Sequence, residues 1–337
     1  MSLVSDMFYY EKTYYLCIQK RDNQMNLPQA FIAQTEELLG AEQAKQLVEA
    51  LQTEPVVSIR LNRQKPATLA LEGATQVPWC ADGRYLPQRP SFTFDPLFHA
   101  GCYYVQEASS MFLEQVMRRY VQQPVCMLDL CAAPGGKSTH ALSLLPKGSL
   151  LITNEIVPQR AQILAENITK WGSADVVVTG NDPSAFTPLE NLFDVILTDV
   201  PCSGEGMFRK DETAVTEWSP ENVALCWQRQ RRILADIWPS LKPGGLLIYS
   251  TCTFNVHEDE ENVAWIASEL GADVLPVEVP QAWGITCLFI ASFLIALREK
   301  ASLWLCFERR KNTIGPSVLV CPRRKRSRKP IRCQRRP

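Results

Sequence analysis

The apolar residues of this chain change their spacing about a third of the way along it. Between Leu27 and Gln52 they recur every three or four residues, which predicts a pair of amphipathic helices. A strand-like run at Val56–Asn62 follows, and a stretch punctuated by Pro and Gly completes the region. We therefore predict a small α+β domain over residues 27–100. Residues 1–26 show no clear period, which predicts a poorly ordered extension.

From Val125 onward, short apolar runs alternate with helical segments. The predicted strands are Val125–Leu130, Ser149–Asn154, Asp175–Thr179, Phe193–Thr198 and Gly245–Ser250. The predicted helices are Ser138–Leu145, Pro158–Trp171 and Pro220–Leu241. Strands separated by helices are typical of an α/β fold, with a parallel sheet and helices on both faces. Ligands of such sheets bind beyond the carboxyl ends of the strands, so we expect a site there in a domain over residues 101–283.

Charge is distributed unevenly along the chain, although the formal net charge of the 337 residues is only −1. Residues 309–337 contain twelve Lys and Arg and no acidic residue, which leaves 23 basic and 36 acidic residues in the rest of the chain. A basic tail on an acidic body is typical of an arm that binds nucleic acid. The apolar run at residues 285–297 is too short to span a bilayer, so we expect no membrane association.

The twelve cysteines form no C-x-x-C pair in the sequence. The three histidines, His99, His140 and His257, lie far from any cysteine cluster. We therefore expect no metal site, and Cys80 shows no partner that would suggest chemistry. Free thiols without a secretory signal indicate a cytoplasmic protein. We expect this protein to be a monomer.

A glycine-rich turn follows the first strand of the predicted sheet, in the segment Asp129–Ser138. Gly135 and Gly136 allow the backbone to approach a ligand closely before the next helix begins. The turn is not the fingerprint G-x-G-x-x-G, and it is not a Walker loop, because Cys131 stands where that loop needs Gly. This favours a nucleoside-like ligand. Glu155, at the end of the next strand, is placed for ribose hydroxyls.

Further polar residues and two cysteines follow the ends of other predicted strands. Asp182 follows the third strand and is placed to meet an adenine edge, although Glu155 and Asp182 taken singly would be ordinary loop acids. Cys202 and Cys252 follow the fourth and fifth strands. Lone cysteines are usually small buried apolar residues, but these two have polar or glycine-rich neighbours. We therefore expect a nucleoside pocket with two thiols at its rim.

Three segments carry a specific resemblance to a known family. They are DLCAAPGGKST at residues 129–139, TDVPCSGEGMFRKD at residues 198–211 and YSTCTF at residues 249–254. In this order they resemble the motifs of the RNA 5-methylcytosine methyltransferases of the Sun/Fmu family, nearest the RsmF type, and the resemblance extends from about Leu27 to Trp283. It implies a Rossmann-like methyltransferase domain, a small N-terminal domain that binds RNA, S-adenosylmethionine as methyl donor, and ribosomal RNA of the small subunit as substrate.

The resemblance also implies a set of site residues. The implied cofactor-binding residues are Cys131, Ala132, Ala133, Pro134, Gly135, Gly136, Lys137, Glu155, Asp182 and Asp199. Cys252 is the implied nucleophile that adds to C6 of cytosine, Cys202 the residue that assists release, and Asp199 the hydrogen-bonding partner of the base. DNA cytosine methyltransferases use a Pro-Cys thiol that corresponds to Cys202, so Cys202 is the alternative nucleophile.

The resemblance stops abruptly at about Trp283. Residues 284–337 do not resemble the apolar hairpin that ends the family's sheet, so we hypothesise that this tail is the product of a frameshift or truncation and that the sheet lacks its closing strands. A catalytically impaired RNA-binding remnant is therefore the alternative function, and a nicotinamide dehydrogenase is disfavoured by the missing fingerprint. Arg209 and Lys210 are expected in a lid that meets RNA phosphates, or otherwise in a solvated loop.

Overall fold

The computed structural model describes residues 25–280, 283 and 303–310. The extension predicted at residues 1–26 lies almost entirely outside the described residues, and so does most of the tail at residues 284–337. Two sheets and the helices around them make up the described chain.

The N-terminal region begins with the predicted helical pair, α1 (Gln29–Leu39) and α2 (Ala41–Leu51). Gly40 joins the two helices with a positive φ of 82°, a conformation that glycine adopts without strain. Three of the five buried side chains of this pair belong to the core of the larger sheet, and none belongs to the core of the small sheet that follows. Phe31 meets Phe208 edge to face, with ring centroids 5.0 Å apart.

A small antiparallel sheet comes next, and it includes the predicted strand at residues 56–62. Its strands are β1 (Val57–Leu61), β2 (Thr75–Gln76), β3 (Gly83–Leu86) and β4 (Tyr103–Val105), in the order β2-β3-β1-β4. The short helix α3 (Pro96–His99) lies before β4 and is capped by Asp95, which accepts a backbone N–H. Ile59, Phe92 and Tyr103 give this sheet a small core of its own.

The second sheet has seven strands and confirms the predicted α/β fold. Its strands are β5 (Cys126–Asp129), β6 (Leu150–Asn154), β7 (Val176–Thr179), β8 (Phe193–Asp199), β9 (Leu241–Thr251), β10 (Ala272–Leu275) and β11 (Leu303–Arg309), in the order β10-β11-β9-β8-β5-β6-β7. Strands β5 to β9 are parallel to one another, as predicted, and β11 is antiparallel to both β9 and β10.

Six helices accompany the larger sheet in the described part of the chain. They are α4 (Leu113–Tyr120), α5 (Gly136–Leu144), α6 (Pro158–Trp171), α7 (Glu212–Glu217), α8 (Pro220–Ile237) and α9 (Glu260–Ser268). The three predicted helices correspond to α5, α6 and α8. Because β5, β6, β8 and β9 are parallel, their carboxyl ends share one edge of the sheet, and the loops that follow them form the candidate site.

Strand β11 corrects the prediction that the sheet lacks its closing strand. It inserts between β10 and β9, where Cys306 is paired with Ile248 and Phe307 with Leu247. The side chains of Cys306 and Phe307 are fully buried, as expected for a central strand covered on both faces. The prediction was wrong because it relied on a missing motif, whereas the strand requires only an apolar run that can pair with β9. The frameshift hypothesis itself remains a prediction.

Candidate active site

Asp129 ends β5 at the carboxyl edge of the sheet and is fully buried. Its Oδ2 accepts a hydrogen bond from the Ser138 hydroxyl at 2.6 Å. Its Oδ1 has no hydrogen-bond partner among the described residues. Burial raises the pKa of Asp129 to about 7. The structure therefore offers a buried acceptor beside the glycine-rich turn, in a place where sequence reasoning used Asp129 only as the start of a motif.

The glycine-rich turn is held from two sides. Gly135 has a φ of 105°, and a Cβ at this position would lie 3.1 Å from the Leu164 side chain. A Cβ on Gly136, the first residue of α5, would lie 3.3 Å from the Tyr104 ring. The carbonyl oxygen of Pro134 accepts a hydrogen bond from the Asn167 amide at 2.8 Å. The turn thus presents its backbone with glycines where a side chain would be strained or crowded.

Two of the predicted cofactor residues have partners within the protein. Glu155 is buried, and its carboxylate accepts the Val157 N–H at 3.0 Å and lies 3.4 Å from an Arg160 nitrogen. Asp182 is more exposed and caps the short helix that follows it. Hydrogen bonds from Ser184 lower the pKa of Asp182. Both carboxylates are therefore fixed in place near successive strand ends.

The two predicted catalytic thiols lie against each other. The sulfur atoms of Cys202 and Cys252 are 3.2 Å apart, and the Cys252 backbone N–H points to the Cys202 sulfur at 3.4 Å. The hydrogen bond with Cys252, followed by burial, raises the pKa of Cys202 well above its usual range. The two thiols are therefore in direct contact and share one hydrogen bond. The cysteine of the turn, Cys131, also has a raised pKa because it is buried.

Asp199 connects the glycine-rich turn with the strand that leads to Cys252. Lys137, in the first turn of α5, forms an ion pair with Asp199 at 2.7 Å. The hydroxyl of Ser250 donates to the other carboxylate oxygen, also at 2.7 Å. Ser250 lies directly opposite Asp199 in the parallel register of β8 and β9. The sequence predicted Lys137 and Asp199 as separate members of one pocket, and the structure brings them into contact.

The loops that carry Cys202 and Cys252, called the cysteine loops below, are held by two buried carboxylates. The sequence analysis assigned no role to either carboxylate. Glu205 accepts hydrogen bonds from the Phe254 backbone at 2.5 Å and from Thr253 at 2.7 Å. Further donors to Glu205 are Gln34, Trp218 and Asn255. The loop after Cys202 is thereby tied to the loop after Cys252. In the sequence, Glu205 stands between two glycines within the motif at residues 198–211, but this stretch was expected to form a lid and Glu205 was given no role.

Glu258 is the second buried carboxylate, and it also accepts hydrogen bonds from residues of both cysteine loops. Its carboxylate accepts the Ser203 N–H at 3.0 Å, the Gln230 amide at 2.6 Å and the Asn255 amide at 2.8 Å. Burial raises the pKa of Glu258 despite these hydrogen bonds. No periodicity or motif in the sequence pointed to this residue. Glu205 and Glu258 thus form a buried hydrogen-bond network that fixes the loops carrying the two thiols.

One of the two predicted lid cations is buried in the protein and does not reach the surface where RNA phosphates would lie. Arg209 is buried and donates a hydrogen bond to the Thr53 hydroxyl at 3.3 Å. Lys210 forms an ion pair with Glu107. The prediction of a flexible lid was wrong for Arg209, because its side chain fills space between α2 and the cysteine loop instead of reaching solvent. In the described part of the chain, no helix is both long enough and apolar enough to cross a membrane.

Two family models match most of the described chain. Residues 27–108 match the N-terminal domain of 16S rRNA methyltransferase RsmF. Residues 120–283 match the family model of 16S rRNA methyltransferase RsmB/F. A curated relative, the ribosomal RNA small subunit methyltransferase F of Klebsiella pneumoniae (strain 342), is 34% identical over 273 residues, which are 76% of this chain and 57% of that protein. The chain thus spans little more than half the length of this relative.

Solved structures show the same fold at lower identity. A methyltransferase homolog protein from Pyrococcus horikoshii matches with a TM-score of 0.70 and 23% identity, over 85% of this chain and 96% of that one. NSun6 from Pyrococcus horikoshii, solved with SFG, matches with a TM-score of 0.72 and 18% identity, over 86% of this chain and all of that one. These likenesses agree with the seven-stranded α/β architecture.

Proposed function

The chain belongs to the RsmB/F family of 16S rRNA methyltransferases, and from this premise we propose that it methylates C5 of a cytosine in small-subunit ribosomal RNA, with S-adenosylmethionine as methyl donor. The observation that carries the proposal is the pair of thiols 3.2 Å apart, at the strand edge that also holds Asp199. One thiol can bond to the base while the other assists its release. We further propose that the protein is a monomer, that it acts in the cytoplasm and that it does not associate with a membrane.

The residues around the glycine-rich turn fit the proposed cofactor. The turn from Cys131 to Lys137 presents glycine backbone, and the buried Oδ1 of Asp129 has no partner among the described residues, so it can accept a hydrogen bond from a ligand. We propose that this turn, with Glu155, Asp182 and Asp199, holds S-adenosylmethionine. When bound, this cofactor supplies an electrophilic methyl group for a nucleophilic carbon atom of the base.

The part of Cys252 is to make C5 of cytosine nucleophilic. Its thiolate adds to C6, the new bond breaks the aromaticity of the ring, and the resulting enamine carries electron density on C5. After C5 is methylated, the C5 proton passes to a water molecule, and the electron pair that it leaves restores the double bond of the ring as the bond between Cys252 and C6 breaks and the thiolate is released. The target cytosine has to leave its stack to reach the thiol.

We propose that Cys202 and Asp199 assist two different steps of this reaction. Cys202 has a raised pKa and keeps its proton, so its thiol can donate a hydrogen bond to the Cys252 sulfur as the bond to C6 breaks. Asp199, fixed by Lys137 and Ser250, is the group that hydrogen-bonds to the base as charge develops. General acid–base assistance of this kind typically contributes about 10²–10⁴-fold in rate.

An adduct experiment tests the assignment of the two thiols. A Cys202→Ala variant incubated with unmodified 16S rRNA and S-adenosylmethionine is expected to accumulate a protein–RNA adduct on a denaturing gel. Adding Cys252→Ala should remove the adduct, and Cys226→Ala, at a buried cysteine of α8, should behave like the wild type. Adduct accumulation in Cys252→Ala alone would instead assign the nucleophile to Cys202.

The alternative function is a catalytically impaired RNA-binding remnant. It rested on the atypical C-terminal segment, with its basic tail and its missing closing strands, and Leu303–Arg309 occupies a strand position between β9 and β10. The methylation proposal is therefore favoured. Tritium transfer from labelled S-adenosylmethionine to 16S rRNA distinguishes the two, because a remnant retains RNA in a filter-binding assay without incorporating label.

A further inference from the structure

Three potential metal ligands from distant parts of the sequence meet away from the candidate active site. Cys80 lies in the loop between β2 and β3, Glu114 in the first turn of α4, and His140 in α5. All three are almost completely buried, and their ligand atoms lie within 4.8 Å of one another. This contact contradicts the prediction that Cys80 has no chemical neighbour, and the reason is that its partners come from other elements.

The distances between the ligand atoms are close to those between two ligand atoms bound to the same metal ion. The Cys80 sulfur lies 3.8 Å from Nε2 of His140, and the same nitrogen lies 3.4 Å from Oε2 of Glu114. Zinc bond lengths at tetrahedral angles place a sulfur and a nitrogen ligand about 3.6 Å apart, and a nitrogen and an oxygen ligand about 3.3 Å apart. Small movements of the side chains would therefore bring all three atoms to one ion.

Two of the three ligands, Cys80 and Glu114, are also oriented by their surroundings. The loop that carries Cys80 is closed by a backbone hydrogen bond from Gly83 to Cys80 at 3.1 Å. The second carboxylate oxygen of Glu114 accepts hydrogen bonds from Arg118 at 2.7 Å and from the Ala81 N–H at 3.3 Å. Such outer contacts fix ligating carboxylates in metal sites. They leave Oε2 of Glu114 directed to His140.

The charges of the cluster suit a divalent ion. A Cys80 thiolate and the Glu114 carboxylate supply two negative charges, and His140 supplies a neutral nitrogen. Arg60 is also buried, but it donates to Gln106 at 2.7 Å and to Thr139 at 2.7 Å rather than to the cluster. Cys sulfur, His nitrogen and Glu oxygen are all ligands that zinc accepts.

We propose that Cys80, Glu114 and His140 bind one zinc ion, which ties the loop between β2 and β3 to α4 and α5. Binding converts the Cys80 thiol to a thiolate and releases its proton to solvent. Water completes the four-coordinate shell. The ion links the N-terminal region to the helix that starts at the glycine-rich turn, so its part is structural and is separate from the methylation proposed above.

Cobalt provides the test, because a thiolate bound to Co²⁺ gives a charge-transfer band in the near ultraviolet. The parent protein carries Cys202→Ser and Cys252→Ser, so that the active-site thiols cannot contribute. We expect one Co²⁺ per chain, this band together with the visible bands of tetrahedral cobalt, and displacement by one equivalent of Zn²⁺. Cys80→Ser should abolish the band, and His140→Gln should weaken Co²⁺ binding at least about tenfold. The matched control Cys226→Ser should resemble the parent.

Two results would overturn the proposal. The first is a folded parent protein without the charge-transfer band, which would leave the three residues as a hydrogen-bonded cluster. The second is a band that survives Cys80→Ser, which would place the metal on another cysteine. If Cys80→Ser fails to fold, alkylation of the parent read by mass spectrometry decides, because one equivalent of Zn²⁺ has to slow the modification of Cys80 and leave that of Cys226 unchanged.

Discussion

Asp129 illustrates how burial changes the behaviour of a single residue. Its pKa is raised by burial from 3.8 to about 7, because the carboxylate loses its hydration at the end of β5 and gains only one hydrogen bond from Ser138. An acid with a raised pKa in the folded state opposes folding when it ionises. Its contribution to stability is complete below pH 3.8 and is lost as the pH rises towards 7.

Asp129→Asn should therefore change the pH dependence of stability. The amide cannot ionise, so the free energy of unfolding of the wild type, relative to the variant, should fall by roughly 3–4 kcal/mol between pH 4 and pH 8 in the absence of cofactor. Urea unfolding at a series of pH values measures this difference. The exposed Asp175→Asn serves as the control variant. A constant difference for Asp129→Asn would mean that its carboxyl group is not desolvated.

At this scale the sequence revealed residues that stand in motifs and missed residues that act through contacts. Cys202, Cys252 and Asp199 follow strand ends in recognisable segments, so their shared location was predictable. Glu205 and Glu258 hold those segments with donors that lie up to 171 residues away in the chain. A single sequence carries no pattern for such pairings, because hydrogen bonds between loops have no period.

Among the elements, β11 departs furthest from expectation. Phe307 on this strand is fully buried in the core of the larger sheet, together with Leu305. Removing a buried aromatic side chain leaves a cavity and typically costs about 3–5 kcal/mol of stability. The buried side chains of β11 therefore contribute to the free energy of unfolding of the whole sheet.

We predict that Phe307→Ala lowers the free energy of unfolding by about 3–5 kcal/mol. Glu308→Ala, at the next and less buried position of the strand, should change it by less than about 1 kcal/mol. Chemical denaturation followed by tryptophan fluorescence measures both. Equal stability of Phe307→Ala and wild type would show that β11 is not inserted between β9 and β10.

Periodicity predicted the elements with strong patterns and missed the short ones. The five parallel strands and helices α5, α6 and α8 were found with bounds that agree within a few residues, except that β9 begins earlier, at Leu241. Helices α4, α7 and α9 were not predicted, because eight, six and nine residues give too few turns to establish a period. Strand β10, which has four residues, was also not predicted.

In the whole molecule, the helical pair α1 and α2 belongs to the core of the larger sheet. Phe31 contacts the rings of Phe208, Trp218 and Phe254, which lie in or near the cysteine loops. The predicted division into residues 27–100 and residues 101–283 followed a change in periodicity. Periodicity describes local structure and does not report which core a helix joins, so this packing was not predictable.

Phe31→Ala should therefore destabilise the molecule as one unit. We expect a loss of about 3–5 kcal/mol and a single unfolding transition in calorimetry, with equal calorimetric and van't Hoff enthalpies. Phe94→Ala, at a side chain that is 75% exposed, is the matched control and should leave the transition unchanged. Two separate transitions in Phe31→Ala would mean that the N-terminal region folds independently of the larger sheet.

The strand order has a consequence for synthesis of the chain. Strands β9 and β10 are made before β11, yet they flank it in the sheet. Until residues 303–309 have left the ribosome, β9 carries a row of backbone groups without a partner and an uncovered apolar face. Unpaired edges of this kind promote association with other chains. The nascent protein therefore passes through a stage in which slow translation or early release of the chain favours aggregation over completion of the sheet.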